Sequence, residues 1–255
     1  MNTMDRWIAR PRPNPRARLR LFCLAHAGGG ASAFRGWADV LPPEVEVCPV
    51  QLPGRENRLA EPAIMRMEPL VEALSSAVRP YLDLPFALFG HSNGALIGFE
   101  LARRLREQGR AGPVHLFASG RRAPDCASGR APTSHLPDDE FLDDLRQLGG
   151  LPDALLQHRE LVALLLPTLR ADVALNESYA FAEGEPLACP ITAYAGAADG
   201  KVSAEQVQAW GRHTRGPFTV RTFPGGHFFL QEARAEFLRV LSADLAAAAR
   251  DLRAD

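Results

Sequence analysis

Short apolar runs alternate with longer stretches of helical periodicity over most of this chain. Leu19 to Ala25 is the first apolar run and predicts a buried strand; it ends in His26-Ala27-Gly28-Gly29-Gly30. Ala31 to Val40 predicts a short helix, with Phe34 and Trp37 spaced three apart on one face. Val45 to Val50 predicts a second strand, closed by Pro53-Gly54. Between Met67 and Leu82, Leu70, Val71, Leu74, Val78 and Leu82 recur at the spacing of a helix with one buried face. Phe86 to Phe89 is a short strand running straight into Gly90. Asn93 to Glu107 follows as a helix, apolar at Leu96, Ile97, Leu101 and Leu105, with arginines on its polar side. Gly109 and Gly112-Pro113 stop it, and Val114 to Ala118 is the next strand.

From Pro137 to Phe181 the alternation breaks. Helical periodicity dominates, with Phe141, Leu142 and Leu145 after Asp138, and a leucine run over Leu161–Leu169 interrupted by Pro167. The strand pattern resumes at Pro190 to Ala195, followed by a helix over Val202–Trp210, a strand over Phe218–Phe223 and an alanine-rich helix over Glu232–Leu252. Strands alternating with helices predict a mostly parallel central sheet with helices on both faces. The helical insertion at about 137–181 then sits over one end as a lid. No repeat or linker divides the chain, so a single α/β domain over residues 1–255 is expected.

Composition narrows the class. The chain has 255 residues, 46% of them hydrophobic and 23% charged, enough apolar content for a sizeable core. A net charge of −1 gives no global case for nucleic acid or an anionic membrane. Lys201 is the only lysine; arginine supplies the rest of the basic side chains. The four cysteines, Cys23, Cys48, Cys126 and Cys189, are widely spaced and form no zinc-binding pattern; buried free thiols in a reducing compartment are expected. The Arg- and Pro-rich segment Met1–Arg20 has no apolar core of a secretory signal, and no apolar run reaches the ~18 residues of a membrane span. A cytoplasmic monomer is expected.

Gly90-His91-Ser92-Asn93-Gly94 carries the chemistry. It fits G-x-S-x-G between a strand and an amphipathic helix, the context of a nucleophile elbow in the α/β-hydrolase fold. A glycine-rich strand-to-helix turn with a capping serine is the plainer alternative. A serine hydroxyl needs a base, and this fold supplies acid and then histidine after the serine in chain order. His227 follows the Phe223-Pro224-Gly225-Gly226 loop after the last strand, where the base belongs. Asp199 follows the strand end Tyr194-Ala195-Gly196 and suits the acid that orients the imidazole. Asp125 and Asp172 are its rivals, and a turn or helix-capping residue is the plainer alternative for Asp199. Two backbone N–H groups should hold the developing oxyanion, those of Asn93 and of Ala27 in the glycine-rich loop. That loop lacks the lysine of a phosphate-binding P-loop.

Several segments together resemble the type II (external, editing) thioesterases of polyketide and nonribosomal peptide assembly lines. They are Leu24-Ala25-His26-Ala27-Gly28-Gly29, Val50-Gln51-Leu52-Pro53-Gly54-Arg55-Glu56 with Arg58, Phe89-Gly90-His91-Ser92-Asn93-Gly94-Ala95, and Gly225-Gly226-His227-Phe228-Phe229. Ser119-Gly120-Arg121-Arg122-Ala123-Pro124 and Leu166-Pro167-Thr168-Leu169-Arg170-Ala171-Asp172 also fit. The Gln-Leu-Pro-Gly-Arg segment is the most specific, since general esterases lack it. The chain departs from the family at Asn93, where methionine is usual. The resemblance implies hydrolysis of acyl groups from the phosphopantetheine arm of an acyl or peptidyl carrier protein, clearing misprimed or stalled synthases. The arm belongs to the substrate, and no cofactor or metal is implied. Small acyl thioesters would also be substrates. His26, Gly28, Leu161, Leu165 and Phe228 are expected at the substrate site, with Leu155 and Leu164 also shaping an acyl chamber under the lid. Arg121 and Arg122 are expected to be exposed and to dock an acidic carrier protein. A general carboxylesterase, a chain-terminating acyltransferase and a non-catalytic binding protein of the same fold are the alternatives.

Overall fold

The computed structural model describes residues 6–147 and 157–251. Its six strands are β1 (Leu19–Leu24), β2 (Val45–Pro49), β3 (Phe86–His91), β4 (His115–Ser119), β5 (Ile191–Gly196) and β6 (Phe218–Phe223). They form one sheet in the order β2-β1-β3-β4-β5-β6, and every pairing is parallel. The central strands are buried on both faces, which is why they are continuous apolar runs.

Successive side chains point to opposite faces, and each face has its own core. On one face, Phe22, Leu24, Phe86, Leu88 and Leu116 meet the buried stripes of α1 (Met67–Val78) and α2 (Asn93–Glu107). Leu70, Leu74 and Val78 come from α1; Ile97, Leu101 and Leu105 come from α2. Each such leucine contributes about 1.5–3 kcal/mol by leaving water. On the other face, Leu19, Leu21, Cys23, Ala87 and Phe89 meet Phe34, Trp37 and the long C-terminal helix described below.

The outer edge of β2 ends under the lead-in segment. Ile8 bridges Val50 in antiparallel fashion, and the Ala9 N–H donates to the Pro49 carbonyl at 2.8 Å. That blunts an edge that would otherwise invite pairing with another chain.

The insertion is helical, as expected, with α3 (Asp138–Gln147) and α4 (Arg159–Glu177). Phe141, Leu145 and Leu169 form a small core between them. Helix α4 runs through Pro167 instead of ending there. The Thr168 hydroxyl, one residue on, donates to the Gly54 carbonyl and ties this part of the helix to the loop after β2.

The segment predicted as a helix over 31–40 is two separate 3-10 turns, Ala31–Phe34 and Trp37–Asp39. Gly36 lies between them at φ 78°, a left-handed conformation that ends one turn before the next begins. After β5 come α5 (Ala204–Gln208) and a 3-10 turn over Ala209–His213. After β6 come α6 (Phe229–Glu232) and α7 (Arg234–Asp251). Phe237, Leu238, Leu241 and Leu245 of α7 are buried against the second face of the sheet. Among the described residues, no helix is long and apolar enough to cross a membrane.

Candidate active site

The site lies at the carboxyl ends of the parallel strands, where open α/β sheets place their ligands. β3 ends at His91, and Ser92 turns the chain into α2 at φ 54°, ψ −112°. A non-glycine residue with positive φ is strained. The crossing is crowded as well. A Cβ on Gly90 would collide with the Gly94 carbonyl, and one on Gly94 would collide with the Leu24 carbonyl. The Ser92 N–H continues the sheet ladder, donating to the Ser119 carbonyl at 2.8 Å.

His227 stands opposite. Its Nε2 is 3.1 Å from Ser92 Oγ, and its Nδ1 is 2.8 Å from Asp199 Oδ2. A carboxylate facing Nδ1 fixes the proton there and leaves Nε2 free to accept from the serine hydroxyl. The Gly225-Gly226 turn that delivers His227 passes tightly over the end of β5. Gly225 has φ 108°, and a Cβ on Gly196 would strike the Gly226 carbonyl. Asp199 sits three residues beyond β5, with its other oxygen accepting the Lys201 N–H at 2.9 Å. Burial alone would raise the Asp199 pKa, but the His227 hydrogen bond and charge outweigh it and hold the carboxyl below its usual range.

The rival acids are committed elsewhere. Asp125 pairs with Arg212 and with His213 at 2.6 and 2.9 Å. Asp172 forms a buried two-pronged pair with Arg55, both contacts at 2.9 Å.

A cavity of about 690 Å³ opens over Ser92 and His227. Ala27, Asn93, His26 and Phe228 line it. The His26 ring stands edge-on to Phe228 at 5.0 Å. Burial, then the charge of His227, lowers the His26 pKa to about 4, so it is neutral in the ordinary working range. His91, fully buried beneath, is also pushed well below the ordinary histidine range, first by desolvation. Lys201 also lines the cavity, with Nζ 5.7 Å from the centre of the Phe228 ring. Burial lowers its pKa against the pull of Asp199.

The expected placements of six residues need correction. Gly28 does not line the cavity. Its N–H donates to Asp172 Oδ2 at 2.7 Å, and its φ of 76° with Leu169 close by leaves no room for a side chain. Leu161 is 42% exposed and Leu164 51% exposed, and neither lines the cavity. Leu165 packs between the lid helices beside Phe141 and does not reach the cavity. Leu145, Leu169 and Val173 of the insertion line it, with Phe181, Val202 and Phe228; Leu169 and Val173 continue the i, i+4 ridge of Leu161 and Leu165 further along the helix. Arg121 is buried in the cavity wall, not exposed, and Arg122 is half-buried. Leu155 lies outside the described residues.

The sequence did not reveal how the lid helix holds the loops below it. Asp172 accepts the Gly28 N–H, and the Asp172 carbonyl accepts from Asn93 Nδ2 at 3.1 Å. One turn further on, Asn176 donates to the Asn93 side chain and to the Asp172 carbonyl. Arg55 donates to the Gly29 carbonyl at 3.1 Å, and Gln51 accepts the Ala31 N–H at 2.8 Å. Apart from Asn176, the side chains carrying this network stood in recognisable motifs, but their partners are more than a hundred positions away in some cases.

Comparisons with known proteins agree with this architecture. The model of the thioesterase domain family matches residues 19–245. The gramicidin S biosynthesis protein GrsT of Aneurinibacillus migulanus is 43% identical over 245 residues, covering 96% of each chain. The solved structure of RedJ, a thioesterase of the prodiginine biosynthetic pathway in Streptomyces coelicolor, is 44% identical. It superposes with a TM-score of 0.85 over 91% of this chain and 92% of its own. The type II thioesterase BorB of the borrelidin biosynthetic cluster is 39% identical, with a TM-score of 0.85 over 94% and 97%. The chain belongs to the thioesterase domain family and is a thioester hydrolase on the α/β-hydrolase fold.

Proposed function

We propose that this protein hydrolyses acyl groups from the phosphopantetheine arm of a carrier protein, editing a polyketide or nonribosomal peptide synthase, with Ser92 as nucleophile. The observation that carries the reading is the His227 ring, bridging Asp199 at 2.8 Å and Ser92 at 3.1 Å inside the cavity. Relatives named for gramicidin S, prodiginine and borrelidin biosynthesis support the choice of substrate.

Ser92 Oγ attacks the thioester carbonyl while His227 Nε2 takes its proton. Asp199 holds the ring and stabilises the imidazolium. The Ala27 and Asn93 N–H groups bind the oxyanion; neither has a hydrogen-bond partner among the described residues. The intermediate collapses, the C–S bond breaks, and the pantetheine thiolate leaves with the proton from His227. His227 then deprotonates a water that attacks the acyl-serine, and the carboxylic acid departs. No cofactor or metal takes part; the pantetheine is brought by the substrate. The protein would act as a monomer.

The test sets wild type beside Ser92→Ala on three substrates: an acyl carrier-protein thioester, the same acyl group on coenzyme A, and a p-nitrophenyl ester. The carrier thioester should be cleaved best, and the variant should lose at least about 10⁴-fold in kcat. Preference for the oxygen ester with no carrier advantage would make the protein a general esterase. Equal inertness of both proteins would make it a binding protein.

A further inference from the structure

The arginines on the polar side of α2 do more than face water. Arg103 donates to the Ala182 carbonyl at 2.8 Å and, through its other Nη, to Glu100 Oε1 at 3.1 Å. Arg106 donates to the Glu185 and Pro186 carbonyls at 2.8 and 2.9 Å. Together they pin the irregular chain that leaves α4 and runs to β5. Irregular backbone leaves carbonyls to be satisfied, and a guanidinium with several donors suits that task.

This pinned segment is a thin wall between two spaces. On one side lies the cavity over Ser92. On the other is a groove of about 360 Å³ bounded by α1, α2 and the segment itself. The wall alternates. Phe181 lines the cavity, while Ser178, Ala180 and Ala182 line the groove. Among the described residues, Tyr179 is the only one that lines both.

Tyr179 is held from the groove side. Its hydroxyl donates to Glu100 Oε1 at 2.6 Å, the same oxygen that Arg103 holds. Burial, then the charge of Glu100, raises the Tyr179 pKa, so the hydroxyl keeps the proton it donates. Swinging the ring aside would break a hydrogen bond to a charged group. Seven residues of helix separate Asn93 from Glu100, about 10 Å at 1.5 Å per residue. Tyr179 therefore closes the cavity well away from the proposed oxyanion donor, where the tail of an acyl chain would lie and not its carbonyl.

We propose that Tyr179 is the end wall of the acyl cavity and sets the longest acyl chain the enzyme accepts, by sealing the cavity from the groove behind it. This rests on the thioesterase reading above. Each further methylene gains by burial until the chain meets the ring; past that point the chain must displace a hydrogen-bonded side chain or fold back on itself. Shortening the side chain opens a space that an apolar tail can fill, and Met67 and Val71 of α1 offer apolar surface beyond it.

The experiment measures kcat/KM for one carrier protein loaded with straight-chain acyl groups from acetyl to dodecanoyl. Wild type, Tyr179→Ala and Tyr179→Phe are compared, with thermal melting as a check on folding. The readout is the chain length at which kcat/KM drops, and the ratio of long to short chains within each protein. Wild type should show a drop, and Tyr179→Ala should move it to longer chains. A newly buried methylene is worth about four-fold, so the ratio just beyond the wild-type limit should rise by at least about 10-fold. Tyr179→Phe keeps the ring and should keep the wild-type limit. A wild type with no drop up to dodecanoyl overturns the proposal. So does a folded Tyr179→Ala whose drop stays at the same length, including one that loses activity equally on every chain. A limit that moves as far in Tyr179→Phe as in Tyr179→Ala also overturns it, because the ring is then not the wall. If Tyr179→Ala does not fold, Tyr179→Leu is read in its place by the same criteria. Inertness of wild type toward every carrier thioester would instead count against the thioesterase reading itself.

Discussion

Ser92 sits at φ 54° with glycines two positions to either side, and that crowding sets how little can change around it. Replacing Gly94 by alanine drives a methyl group into the Leu24 carbonyl of β1. Gly94→Ala should therefore give insoluble protein, or a Tm well below wild type; a soluble variant with unchanged melting would show that the elbow can relax. His26 makes a prediction in pH. Its folded pKa of about 4 lies below the unfolded value of 6.5. Between those values the unfolded chain binds a proton that the folded chain does not. Stability therefore falls as pH drops from about 6.5 toward about 4. The buried His91 acts in the same direction. The urea midpoint should be lower at about pH 5 than at about pH 7, and His26→Gln should flatten part of the slope. A midpoint independent of pH would contradict the burial of both rings. At this scale Ser92 and His227 were legible because each announces itself locally, by glycines and by chain order. Arg121 was not, since two adjacent arginines after a strand carry no sign of which is buried.

Helix α4 is where sequence reading and structure part most usefully. Its helical character was legible from the leucine spacing, yet of the Leu161–Leu169 run only Leu169 lines the cavity. Leu161 and Leu164 are exposed near the start of the helix, while Leu169 and Val173, further along it, line the cavity. Which turn of the helix lies over the cavity is fixed by tertiary contacts, here the Asp172–Arg55 pair and the Asn93–Asn176 link. The Asn93 side chain spends its polarity on the helix. The turn from Asp172 to Asn176 thus ties down both proposed oxyanion donors, one through Gly28 beside Ala27 and the other through Asn93. Asp172→Ala should release the Gly28 loop and leave Arg55 buried without its partner. The expected cost is about 3–5 kcal/mol of stability. The loss in kcat should approach the ~10²–10³-fold of one missing oxyanion donor, with KM little changed. Steady-state kinetics on the folded variant checks this; a rise in KM with kcat intact would place Asp172 in substrate binding instead.

Across the whole molecule, the alternation of strand and helix foretold the parallel sheet, and strand burial on two faces made it readable. The two 3-10 turns at 31–39 were not foretold, because Phe34 and Trp37 satisfy a helical pattern whether or not a glycine interrupts the backbone. Both rings belong to an aromatic cluster that joins distant parts of the chain. Phe237 of α7 touches Trp37, Phe89, Tyr194 and Phe229. Phe237→Ala should cost about 3–5 kcal/mol. At 2–4 °C per kcal/mol for a domain of this size, Tm should fall by roughly 6–20 °C, read by calorimetry, while turnover per folded molecule stays near wild type. A last consequence concerns labelling. The only lysine, Lys201, lies in the cavity beside Phe228, and its lowered pKa gives it more free amine at mild alkalinity than an ordinary surface lysine has. An amine-directed dye therefore has one side chain to modify, so a fluorophore placed there reports on occupancy of the chamber without any engineered cysteine.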